Sequence, residues 1–197
     1  MNKTTIVATS QVLMALGLML TTTFAFAHSG HGEQISGFLS GLLHPFSGID
    51  HLFAMGAIGF WSMRQNTIMK RGTPLFVVAG MIAGAGIAWA GVSLAGVETG
   101  IAMSVLLVGV LIATLARLPT AVGGTLVALF MVAHGYAHGT EMGQGSMMLY
   151  TAGFVVATLL ITFIGRYLGA IMLKSDSRMT RAVGGVVAII GGVLIVG

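Results

Sequence analysis

The segment HPFSGIDH, residues 44–51, interrupts an apolar run that extends over residues 36–63. It places two histidines and an aspartate in a stretch that otherwise reads as membrane-spanning. Each charged side chain inside a bilayer costs roughly 2.5–3.5 kcal/mol on insertion scales, so such a cluster indicates a functional site. Pro45 removes a backbone hydrogen bond and disfavours helix at His44, and Gly48 permits further unwinding. We therefore predict a broken helix, with which transporters arrange ligands around a cation at mid-membrane.

The two histidines of this segment are too far apart on a straight helix to bind one ion. His44 and His51 would lie about 10.5 Å apart along the axis, whereas metal–nitrogen bonds are about 2 Å long. Either His44 folds back to join Asp50 and His51, or it forms a separate station nearer the entrance. A lone histidine in a span is explained by a hydrogen bond between helices, but an aspartate beside a histidine has few such explanations.

A second polar segment, AHGYAHGTE at residues 133–141, closes a later apolar run. On an ideal helix His134 and His138 lie about 6 Å apart along the axis, and Glu141 continues the same stripe. Imidazole and carboxylate together suit nickel, cobalt, zinc or iron(II) better than calcium or copper(I). The alternative is that these histidines bond carbonyl groups near a helix end. We predict that the two segments meet and hold a metal ion through His44, Asp50, His51, His134, His138 and Glu141.

The composition indicates an integral membrane protein. Hydrophobic residues make up 56% of the chain, charged residues only 7%, and the mean hydropathy is +0.98, whereas charged residues form about 25% of a soluble domain. Nine Lys and Arg are scattered without a basic stripe, which argues against nucleic-acid binding. Cysteine is absent, so ligands must be nitrogen, oxygen or thioether. Because no phosphate-loop or HExxH motif occurs, we do not expect an ATPase or metalloprotease, and we predict that the protein is not an enzyme.

The apolar runs and their connections predict an all-α membrane bundle of about six transmembrane helices within residues 36–197. Connections that carry Lys or Arg alternate with connections that have none, as the positive-inside rule requires of consecutive spans. Both mature termini are then predicted to lie outside. Glycines four residues apart inside the runs predict close helix packing. The runs are Ser36–Met63, Pro74–Gly96, Gly100–Leu115, Ala121–His138, Met147–Leu173 and Ala182–Gly197.

Residues 1–27 have the pattern of a secretory signal peptide. Lys3 precedes an apolar run that ends in an A-x-A cleavage site at residues 25–27. The alternative is an uncleaved first helix, since the run is long enough to span. Cleavage would leave residues 28–35 as an exported tail, in which His28 and His31 beside a free amine could bind a metal weakly. The tail is equally explained as a polar segment that follows the cleavage site.

Residues 44–55, HPFSGIDHLFAM, resemble the HPxxGxDHxxxM signature of the HupE/UreJ family of nickel and cobalt transporters, which are encoded with hydrogenase or urease genes. The second segment, with its HGxxHGxE pattern, resembles the family too. The resemblance implies a secondary transporter or facilitated channel in the bacterial inner membrane that imports Ni²⁺ or Co²⁺. It assigns His44, Asp50 and His51 to the first metal motif. It also implies that the metal is cargo and that no prosthetic group is present.

Two other functions fit a histidine cluster between helices. One is a small membrane redox protein with haem bound between histidines of two helices. The other is an intramembrane metal-dependent hydrolase, which needs an open coordination position for water and a general base.

Overall fold

The computed structural model describes residues 37–142 and 146–197, which form seven α-helices, one 3₁₀ turn and no strand. The all-α prediction is therefore confirmed for the described part of the chain. The predicted signal peptide and exported tail lie outside the described residues. The helices are α1 (Gly37–Leu43), α2 (Ile49–Ser62), α3 (Thr67–Trp89), α4 (Val97–Ala113), α5 (Thr120–Thr140), α6 (Met147–Met172) and α7 (Ser177–Val196), and the 3₁₀ turn is His44–Phe46.

Four helices, α3, α5, α6 and α7, are long and apolar enough to cross a membrane by length and composition. Helix α4 is shorter, with 17 residues, and α1 and α2 divide the first apolar run between them. Large apolar side chains such as Leu75, Leu129 and Ile189 are exposed on outward faces, whereas Thr158 and Thr162 are buried. Helices satisfy their own backbone hydrogen bonds, so a bundle with this apolar surface suits a lipid environment.

Two helices begin five or more residues before the apolar runs that predicted them. Helix α3 begins at Thr67 and contains Pro74, because the Asn66 side chain accepts a hydrogen bond of 2.9 Å from a first-turn backbone N–H. Helix α7 likewise follows its cap Asp176 rather than starting at Ala182. A helix starts where its first N–H groups find acceptors, and hydropathy does not report this.

Four helix pairs pack with their backbones in close approach, and a glycine lies at each contact. An added Cβ at these positions would overlap the backbone of the partner helix, so the predicted close packing is confirmed there. The contacts join α3 to α5 at Gly84, α4 to α7 at Gly191, α2 to α6 at Gly165, and α1 to α6 at Gly41. Gly185 and Gly192 differ, because an added Cβ would have nothing within 4 Å.

Charge is separated between the two ends of the bundle. The connections 63–66, 114–119 and 173–176 lie at one end, where Gln65 bonds the backbone of the next connection at Ala116 and Leu118. We call this the basic end, because it carries the described Lys and Arg residues Arg64, Lys70, Arg71, Arg117, Arg166, Lys174, Arg178 and Arg181. We call the opposite end the histidine end, because His44 meets Glu141 there.

Candidate metal centre

The helix break predicted at Pro45 is present and frees His44 from the helical repeat. Helix α1 ends at Leu43, and the 3₁₀ turn closes with the Ser47 backbone N–H and hydroxyl, which donate to the His44 carbonyl at 3.0 and 2.6 Å. The chain is then extended at Gly48 (φ −103°, ψ 121°) before α2 begins. His44 thus lies on a separate turn above α2.

Gly48 is required by the carboxylate and imidazole that follow it. An added Cβ would lie 2.6 Å from Asp50 Oδ1 and 2.7 Å from His51 Nδ1, closer than van der Waals contact allows. Neither side chain can withdraw freely, because the two are bonded to each other. The glycine therefore keeps the first turn of α2 open for these two groups.

His44, His138 and Glu141 form a group that we call the outer station. His44 Nε2 lies 2.6 Å from Glu141 Oε2, and the His44 and His138 ring centroids are 4.9 Å apart. One ligand atom from each residue lies within 4.8 Å of the others, close to the separation of about 4.2 Å between opposite ligands of one ion. This geometry corresponds to the second predicted arrangement, in which His44 is separate from Asp50 and His51.

His51, His134 and His138 form a deeper group that we call the inner station. The His51 ring centroid lies 5.0 Å from that of His134 and 4.5 Å from that of His138. All three residues are buried, whereas the His44 and Glu141 side chains are 29% and 49% exposed. His138 belongs to both stations, so they are contiguous.

In His51 and His134, hydrogen bonds determine which ring nitrogen faces the centre. Asp50 Oδ1 accepts from the His51 backbone N–H and lies 2.8 Å from His51 Nδ1. The Phe130 carbonyl lies 2.9 Å from His134 Nδ1. An ionised carboxylate and a carbonyl can only accept, so each Nδ1 carries the hydrogen and each Nε2 presents a lone pair. A carboxylate behind an imidazole is the usual way to orient a metal-binding histidine.

The ring nitrogens at the centre have no hydrogen-bond partners among the described residues. Nε2 of His51, Nε2 of His134 and both nitrogens of His138 are buried and unpartnered. Each such group costs about 1–3 kcal/mol in lost hydration. Neighbouring imidazoles whose nitrogen lone pairs have no hydrogen-bond partner can coordinate an incoming metal ion. The residues therefore fit a divalent transition metal that accepts nitrogen and oxygen ligands.

Two carboxylates give the centre its charge. Asp50 lies behind the inner station, and Glu141, just beyond the end of α5, belongs to the outer one. The hydrogen bond with His44 holds the pKa of Glu141 below its usual value, although partial burial opposes this shift. Neutral imidazoles with two carboxylates have a net charge of about −2, which offsets a divalent cation.

Two aromatic residues on α6 surround the centre and were missed by the sequence reasoning. Phe154 stacks on His138 with centroids 5.2 Å apart and an interplanar angle of 15°, and the Tyr150 ring lies 6.1 Å from that of His44. An aromatic residue in an apolar span has no distinguishing sequence signal, so only the packing of α6 reveals them.

Glu98 was also missed as a candidate. A cavity of about 220 Å³ at the histidine end is lined by both Asp50 and Glu98. Glu98 lies in the first turn of α4 and is one of only five acidic residues in the chain. The scarcity of acidic residues was the sequence signal that could have identified Glu98 as a candidate. The candidates His28 and His31 lie outside the described residues.

Comparisons with known proteins agree with the resemblance noted in the sequence. The family model described as HupE / UreJ protein matches residues 16–194. Protein HupE of Rhizobium leguminosarum bv. viciae is 36% identical over 186 residues, which cover 90% of this chain and 97% of that protein. No solved structure is significantly similar to the chain. The chain therefore belongs to the HupE/UreJ family.

Proposed function

We propose that the protein imports Ni²⁺, or the chemically similar Co²⁺, into the cytoplasm as a secondary transporter or gated facilitator. The metal would serve the maturation of hydrogenase or urease, as the family resemblance implies. One observation carries the proposal: His51, His134 and His138 converge with four buried, unpartnered ring nitrogens. Nitrogen and oxygen ligands without thiolates suit these ions.

The proposed topology has six spans. The α1–α2 unit counts as one broken span, and α3 to α7 supply five more. The positive-inside rule assigns the basic end to the cytoplasm and the histidine end to the outside. The mature amino and carboxyl termini are then both outside. A reporter fused after Gly197 that is active only in the cytoplasm would contradict this topology.

The arrangement suggests a route from the histidine end into the centre. The cavity between Asp50 and Glu98 and the half-exposed outer station both open at this end. Below the inner station, Met55, Ile58 and Met131 are fully buried in the apolar core. A cation cannot cross such a region without rearrangement of the helices, so the route is closed toward the basic end. This supports alternating access or gating over a permanently open pore.

His138 offers a way to pass the ion inward without complete loss of ligands. An ion at the outer station would be bound by His44, His138 and Glu141. His138 could remain bound while His51 and His134 replace the other two ligands. Stepwise exchange avoids a bare cation in a low-dielectric region, where its desolvation would be prohibitive.

Uptake of radiolabelled nickel into cells that lack other nickel importers tests the proposed function. Cells with the wild-type protein should take up nickel saturably, and excess cobalt should compete better than excess zinc. His138→Ala should reduce uptake to background at equal protein abundance, whereas the control Gly185→Ala should not. Wild-type uptake that equals that of empty cells would contradict the proposal.

The two alternative functions find less support in the geometry. The imidazoles of His51, His134 and His138 contact one another directly, with centroids about as far apart as packed rings. This leaves no slot for a planar macrocycle between opposed histidines. A hydrolase would need a general base beside a bound water, and both central carboxylates are already paired with histidines.

For the exported tail we propose a scavenging role. Deletion of residues 28–33 should weaken uptake when metal is scarce and have little effect when it is abundant. A complete loss of uptake at every concentration would instead place the tail in the transport route.

A further inference from the structure

A second polar cavity lies at the basic end, at the opposite end of the bundle from the metal centre. Its volume is about 340 Å³. Arg64 lines it from the connection between α2 and α3, and Lys70 lines it from near the start of α3. Arg117 lines it from the connection between α4 and α5. No acidic residue is among its described lining residues. The cavity therefore concentrates three positive charges without a counter-charge.

The neighbouring hydrogen bonds do not neutralise these cations. The Arg64 guanidinium donates to the Thr180 hydroxyl at 3.3 Å, whereas the side chains of Lys70 and Arg117 have no hydrogen bond within residues 37–142 and 146–197. Asp176 is the one described acid at this end, but it caps α7 and does not line the cavity. Within these ranges, the ion pairs all involve histidines of the metal centre.

The cations are also close enough to repel one another. Partial burial, followed by the charges of Arg117 and Arg181, lowers the pKa of Arg64. Like charges held close together repel one another, and an anion bound between them would relieve this repulsion. Arginine donors in such a cluster match the oxygens of a phosphate group.

We propose that this cavity binds the phosphate group of an anionic phospholipid. The remaining wall favours a lipid over free phosphate, because Met63, Leu118 and Leu173 add apolar surface beside the cations. Leu173 is 43% exposed at the end of α6 and would meet the glycerol and upper acyl region. Basic pockets between transmembrane helices are known to hold acidic headgroups in this way. The inference is independent of metal transport.

Titration of the purified full-length protein in neutral detergent tests this site. Phosphatidylglycerol, phosphatidylcholine and inorganic phosphate are the probes, and bound lipid is counted by native mass spectrometry. In neutral detergent only the cations that line the cavity meet the bound phosphate, and each contributes about fivefold to the affinity for acidic lipid. Arg117→Gln should therefore weaken phosphatidylglycerol binding about fivefold, and R64Q/R117Q about 25-fold. The control K174Q/R178Q removes two charges from the same end outside the cavity and should change binding less than twofold.

Each other outcome overturns part or all of the proposal. Equal losses in the two double variants would show only general surface attraction. Equal binding of phosphatidylcholine would show that the phosphate charge is not recognised. Displacement of the lipid by millimolar inorganic phosphate would assign the cavity to free phosphate and refute the lipid. The Arg117 side chain is exposed and makes no hydrogen bond in the described residues, so Arg117→Gln should keep wild-type helicity by circular dichroism.

Discussion

Replacement of His138 by leucine should stabilise the metal-free protein while it abolishes metal binding. Both ring nitrogens of His138 are buried without partners, and each costs about 1–3 kcal/mol in that state. Leucine has nearly the same volume and no polar atom. It forfeits the stacking on Phe154, which is worth about 0.5–1.5 kcal/mol. The balance of these terms predicts a gain of roughly 0.5–5.5 kcal/mol for the variant without metal.

Thermal unfolding in detergent, with and without nickel, measures both effects. For a chain of this size, a gain of 1 kcal/mol raises the midpoint by about 2–4 °C. Nickel at one hundred times its dissociation constant should stabilise the wild type by about 2.7 kcal/mol and should not shift His138→Leu. The control Phe154→Leu loses the stacking but keeps every proposed ligand, so its nickel-induced shift should persist. A less stable His138→Leu protein that nickel still stabilises fully would refute the reasoning.

Three further predictions concern the centre and its frame. Asp50→Asn removes the negative charge behind His51 but keeps an amide oxygen that can accept its hydrogen bond, so nickel affinity should fall about 10–100-fold and uptake should fall toward background at normal protein abundance. Near-normal uptake would contradict this. If the two stations form one route, the His51→Ala and His138→Ala double variant should transport scarcely less than either single variant, and independent multiplicative losses would disprove the shared route. Gly84→Ala places a Cβ against the Val132 carbonyl. The resulting overpacking should destabilise the protein by about 1–3 kcal/mol and lower the midpoint of thermal unfolding. Gly185→Ala faces open space and should be neutral or stabilising in the same assay.

The helix break and the meeting of the two polar segments were predictable because polar groups are rare in this chain. In an apolar span, Pro45 and Gly48 leave few conformations for the backbone between them. Polar side chains inside an apolar bundle pair with one another, so each segment was expected to lie against the other. The structure brings them together through His51, as expected.

Other features depend on packing that the sequence does not encode locally. The position of His138 in both stations depends on how α5 packs in the bundle, where for example Gly84 of α3 lies against its backbone. Glu98 shares a cavity with Asp50 only because α4 packs near α2. The early start of α3 follows from the Asn66 cap rather than from hydropathy.

X-ray absorption at the nickel edge of protein loaded with one equivalent of Ni²⁺ tests the central claim most directly. The account predicts nitrogen and oxygen neighbours at about 2.0–2.2 Å, with outer-shell scattering from two or more imidazoles that diminishes in His51→Ala. A spectrum dominated by sulfur neighbours, or one without imidazole scattering, would contradict the claim that His51, His134 and His138 bind the transported ion.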